Sequence, residues 1–144
     1  MKPKEFFNQL QRDAIVKAIG EAESKMRGEI RVFISHKKPD DPVAAAQKVF
    51  HHLGMQRAPE RNAVLIFVAP KARKFAVIGD QAVHEKCGDV FWAEVAAEMS
   101  NYFKKGDFTE GLLHGIRRAG TLLAEHFPHR PGDQSHLPDD IAHD

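Results

Sequence analysis

A single cysteine, Cys87, stands in 144 residues, so no disulfide can close within the chain, as suits a reducing compartment. Nothing near it in sequence is an obvious base, and an inert thiol is the expectation. Excess charge is lacking too: 21 lysines and arginines stand against 20 acidic residues, a net charge of +1. Such a balance gives no broad field to gather nucleic acid or an anionic membrane surface. No uncharged apolar run approaches the roughly 20 residues that span a bilayer. The first residues, Met1 to Asn8, carry no long apolar segment of the signal-peptide kind. The expectation is a cytoplasmic, soluble protein with no membrane insertion and no nucleic-acid partner.

The templates of several chemistries are missing as well. Cys87 has no arginine six positions on, and His84-Glu85 has no second histidine at the helical position that a zincin requires. No glycine loop precedes a Lys-Ser or Lys-Thr pair, and no G-x-S-x-G elbow follows a strand. The nine histidines are scattered, and His51 and His52 would point about 100° apart on a helix. Nothing calls for an organic cofactor.

What is present is a core. With 42% apolar residues, the chain suits one domain, read here as residues 1–127, followed by a Pro-, His- and Asp-rich tail over 128–144 that is ordered only if docked. Seven apolar residues from Ala63 to Ala69 predict a strand buried on both faces. The connection Pro70 to Arg73 is too short for a crossover, so Lys74 to Gly79 should return antiparallel. Ahead of them, Glu29 to Ser35 alternates in the manner of a strand with one more exposed face, after a helix marked by Ile15, Ile19, Ala22 and Met26, with Asn8 a plausible cap. A helix from Asp40 or Asp41 to Gly54, with Pro42 in its first turn, makes a crossover unit whose two strands run parallel. Two more helices follow. One carries Trp92, Val95, Met99 and Phe103 and stops at Gly106; the other begins near Asp107 or Thr109 and runs to Phe127. Gly111, Gly115 and Ala119 fall four apart, which predicts close approach of a neighbouring helix. The reading is an α/β fold around a small mixed, mostly buried sheet.

This arrangement sends Glu29, Asn62 and Asp80 to one end of the sheet, with Arg61 among them. The segment from Asp80 to Asp89, carrying His84 and Glu85, is read as the loop leaving that rim. Asp80, Asp89, Glu29 and Glu85 are hard oxygen ligands that could hold calcium or magnesium. A simpler reading stands beside it: Arg61 pairs with Asp80, Asp89 caps its helix, and Asn62 holds a turn. The acidic residues follow no fixed loop spacing such as an EF-hand's, which favours the simpler one. Lys71, Arg73 and Lys74 crowd the strand connection and could meet a phosphate, but are better read as a solvated turn.

Ala22-Glu23, Gly28-Glu29-Ile30-Arg31-Val32, the run Arg61 to Pro70, Arg73-Lys74 and Gly106-Asp107-Phe108 with Gly111-Leu112 together resemble the TPM domain family, in its soluble bacterial branch. The likeness spans about Phe6 to Phe127. It implies a three-layer α/β/α sandwich and, in family terms, binding of a divalent cation, calcium in particular. Glu29, Asn62, Asp107 and Gly111 stand at matching positions. The function so implied is an accessory or binding domain with a protein partner, a LemA-type or other membrane protein. The alternative is a metal-assisted acid phosphatase acting on phosphomonoesters, an activity drawn from a thylakoid-lumen relative.

Overall fold

The computed structural model describes residues 12–57, 60–128 and 141–144, apart from the side chains of Cys87 and Asp89. Four strands form one mixed sheet: β1 (Glu29–Ile34), β2 (Ala63–Ala69), β3 (Lys74–Gly79) and β4 (Ile141–His143), in the order β3-β2-β1-β4. As expected, β2 runs parallel to β1 and β3 returns antiparallel to β2, with Val64 opposite Gly79. β4 lies parallel to β1, setting Ile141 beside Val32. The helices described are α1 (Arg12–Glu23), α2 (Pro42–His52), α3 (Gln81–Lys104) and α4 (Phe108–His126).

All seven residues of β2 are buried because its alternate side chains enter two cores. Ala63, Leu65, Phe67 and Ala69 meet Phe33, Ala46, Phe50 and Met55 on the α2 side, where the rings of Phe33 and Phe67 stack 5.9 Å apart. Val64, Ile66 and Val68 point the other way, into α1, α3 and α4 through Ile15, Ile19, Val95, Met99, Leu112 and Ile116. Among the described residues, one helix on one face and three on the other make the α/β/α sandwich.

Local chemistry sets the helix ends. The Asp41 carboxylate accepts from the amides of Val43 (3.0 Å) and Ala44 (3.2 Å), and Pro42 occupies the first turn, where a missing N–H costs nothing. The small-residue flank of α4 lies against α3: a Cβ at Gly111 would come 2.6 Å from the Phe103 ring, and one at Gly115 2.7 Å from the Met99 sulfur. Gly120 allows the same closeness to Ala22 of α1.

Three expectations change. β1 has no exposed face, since only Arg31 is even half-buried rather than buried, because β2 and β4 flank it and helices cover both sides. The segment after Asp80 is not a loop. Asp80 caps α3, its carboxylate accepting from Gln81 N at 2.7 Å, and the helix runs on to Lys104 with one break at Gly88 (φ 69°, ψ −178°). The periodicity around Trp92 belongs to its second stretch. The helix that carries Ile15 and Ile19 ends at Glu23, its described part being Arg12–Glu23, with Met26 beyond it in a bridge to Pro128; the Asn8 cap lies outside the described residues.

Candidate functional site

The rim at the start of the parallel strands is assembled around Ala63. Glu29 is its partner across the β1–β2 ladder, and its carbonyl accepts from Asp80 N at 2.9 Å. Glu29, Asn62 and Asp80, from three separate segments, are all buried there. Arg61, next to Asn62, has a left-handed conformation (φ 53°), with its carbonyl accepting from Ala82 N at 3.1 Å. Its guanidinium reaches back to Asp80, Nε donating to Oδ2 at 2.8 Å and Nη2 to Oδ1 at 2.9 Å. The hydrogen bond to Asp80, followed by the charge of that carboxylate, pushes the Arg61 pKa up against a smaller opposing effect of burial.

The other polar groups tie segments together. The Asn62 amide donates to the carbonyl of Arg27, whose guanidinium bonds Glu60 Oε1 at 2.7 Å. Glu23 at the end of α1 accepts from Ile30 N at 3.0 Å, and Arg27 N donates to Phe127 O at 2.7 Å. Gly28 fits because a Cβ there would stand 2.8 Å from the Asn62 carbonyl oxygen. The residues the sequence sends to this rim therefore meet, and their contacts join α1, β1, β2, α3 and the end of α4.

The remaining candidates are placed differently. His84 and Glu85 are exposed on the first turns of α3, where Gln81 Nε2 donates to Glu85 Oε1 at 3.3 Å. Asp89 follows the break at Gly88, and its side chain lies outside the described part. Asp107 caps α4 without a side-chain cap bond and sits beyond the far end of β2 from Asp80, since its neighbours Gly106 and Phe108 line a cavity with Val68 and Pro70. Among the described residues no three His, Cys, Asp or Glu side chains group closely enough to hold a metal ion. Both oxygens of Asp80 already receive donors, and the charge of the carboxylate is met by the Arg61 guanidinium.

Two features at that far end were not read from the sequence. Ser35, buried at the exit of β1, donates its hydroxyl to Asp144 Oδ2 at 2.6 Å, while His36 N donates to Oδ1 at 2.9 Å and His36 Nδ1 pairs with the same oxygen. Burial pushes the Asp144 pKa up, but the Ser35 hydroxyl, the His36 amide and the charges of His36 and Lys37 outweigh it and hold the carboxyl low. This is no catalytic triad, because the serine hydroxyl faces the carboxylate and not the imidazole. The second feature is the cavity itself. The signal that could have found it is topological: ligands of open α/β sheets gather beyond the carboxyl ends of the parallel strands.

A mixed four-stranded sheet in the order β3-β2-β1-β4, with helices packed on both faces, defines an α/β/α sandwich domain whose two sheet ends are built from different chemistry. Residues 1–122 match the TPM domain, and the chain belongs to that family. It is similar to the BA42 protein of the psychrophilic bacterium Bizionia argentinensis, with 37% identity, 92% of each chain covered and a TM-score of 0.85. Two N-terminal domains share the fold. That of a P. gingivalis protein has 16% identity over 87% of this chain and 77% of its own, with a TM-score of 0.57. That of a Corynebacterium glutamicum protein has 17% identity over 85% and 74%, with a TM-score of 0.54. No curated protein matches. Among the described residues no helix is long and apolar enough to cross a membrane.

Proposed function

We propose that this chain is a non-catalytic binding domain of the TPM family, in which the Arg61–Asp80 rim is a structural latch. One observation carries the reading: the Asp80 carboxylate, buried with both oxygens engaged, is neutralised by Arg61 in a two-bond fork and caps α3. A metal-assisted phosphatase using the same carboxylate needs it free to hold a cation that polarises a phosphoryl oxygen. Glu29 and Asn62 are likewise buried in the joint between β1 and β2. The reading also carries the partner that the family resemblance implies, a LemA-type or other membrane protein.

Hydrolysis of p-nitrophenyl phosphate, with and without calcium or magnesium, in wild type and Asp80→Asn tests this. The expected result is no turnover that depends on Asp80. Metal-stimulated hydrolysis that falls by orders of magnitude in a folded Asp80→Asn variant would overturn it and establish the phosphatase. Co-elution of the purified chain with a LemA-type protein tests the partner, and separate elution at micromolar concentrations counts against it.

A further inference from the structure

The end of the sheet away from the latch holds a cavity of about 690 Å³. Its volume falls within the range of pockets that enclose small organic ligands. Phe75 of β3, Phe103 of α3 and Phe108 of α4 form one aromatic wall, with ring centroids 5.0 Å apart for the first pair and 6.1 Å for the second. Val68 of β2 adds to the apolar surface. Three cations, Arg73, Lys74 and Lys104, share the lining, and no acidic side chain is among the described residues that form it.

Two of those cations have structural work. Lys74 Nζ donates to Asp40 O at 2.7 Å and reaches Pro39 O at 3.4 Å, and Lys104 stands in the last turn of α3, where positive charge offsets the helix's negative end. Arg73 differs. It caps the Pro70–Ala72 turn at φ 54°, ψ 40°, a left-handed conformation in which glycine is free of strain and arginine is not. The turn itself needs only the Arg73 backbone N–H, which donates to Pro70 O at 3.1 Å. Its side chain is exposed, so packing does not explain an arginine here, whereas a charge at the cavity mouth does.

We propose that this cavity binds a small amphipathic anion, an apolar or aromatic body bearing one acidic head. The body lies against Phe75, Phe103 and Phe108 while the head meets Arg73 with Lys104 and Lys74. The proposal rests on the reading of the chain as a binding domain and names what one of its sites takes.

Fluorescence titration with 8-anilinonaphthalene-1-sulfonate, competed by decanoate, decanol and decylamine, tests it, with backbone amide NMR shifts locating the site. Decanoate should displace the probe about tenfold better than decanol, as a charge-assisted contact implies, and should outcompete decylamine by more. Shifts should centre on Phe75, Phe103 and Phe108. Ser100, a small lining residue, permits a filling variant, and Ser100→Trp should abolish binding. Arg73→Gly guards against a folding artefact: it should melt no lower than wild type and yet bind decanoate several-fold more weakly. Equal competition by decanol and decanoate, shifts elsewhere, unchanged affinity in Arg73→Gly, or binding only of an apolar peptide would each overturn the proposal. Phosphoester turnover would overturn the non-catalytic reading while leaving the decanoate result to stand or fall separately.

Discussion

Single residues at the two ends of the sheet are under opposite constraints. At the latch, Gly28 is required by closeness: the atom a Cβ would meet is the backbone carbonyl oxygen of Asn62, 2.8 Å away, which cannot rotate aside as a side chain can. Gly28→Ala should therefore destabilise the fold by about 1–3 kcal/mol, the range for overpacking, read as a lower urea midpoint at unchanged slope. Arg73 is the converse, a side chain where the backbone favours none. Arg73→Gly should raise stability by up to about 1 kcal/mol, because relief of the left-handed strain exceeds the extra freedom glycine brings to the unfolded chain. Urea unfolding of the two variants checks both signs. A loss of stability in Arg73→Gly would mean that the guanidinium contributes to the fold and is not kept for the cavity.

Elements show which interactions a linear pattern can report. Ala63 to Ala69 was legible because burial on both faces leaves an unbroken apolar run, and α4 because Leu112, Ile116, Ala119 and Leu123 repeat on one stripe. The start of α3 was not, since its only strong signals are the Asp80 cap and a Gly88 that breaks the period midway. β4 was hidden for another reason: three residues next to β1 gain their place from a ladder and from Asp144, neither of which leaves a periodic trace. That attachment is acid-sensitive. The Asp144 carboxyl titrates lower in the folded protein than unfolded, so its contribution is present above the unfolded value of about 3.9 and is lost as pH falls through the lowered folded one. Amide exchange at Ile141 to His143 should speed up below about pH 4 relative to the β1–β2 ladder. Asp144→Asn should remove the acid step. Glu98, held low chiefly by its hydrogen bond with His114 and also by Arg118, shares the sign but lies between α3 and α4, so Glu98→Gln should leave the β4 step in place.

Across the whole molecule, the topology divides the polar groups into two ends, and the sequence reading reached only one of them. Convergence of Glu29, Arg61, Asn62 and Asp80 followed from strand directions alone, because a parallel pair and an antiparallel return leave no other meeting place. How the Asp80 carboxylate is engaged there could not follow, since it depends on where the Arg61 side chain points. In the structure it points at Asp80 and takes both oxygens. A cation that binds only the folded state raises Tm in proportion to the logarithm of its concentration over its Kd, so thermal melts measure this directly. Millimolar calcium or magnesium should leave the wild-type Tm unchanged, because the guanidinium fork already neutralises the carboxylate that would attract each ion. In Arg61→Gln, which frees the carboxylate, the same ions should raise Tm, and Asp80→Asn should cancel that rise. A wild-type rise lost in Asp80→Asn would show instead that the guanidinium yields to the cation, making the latch a metal site after all.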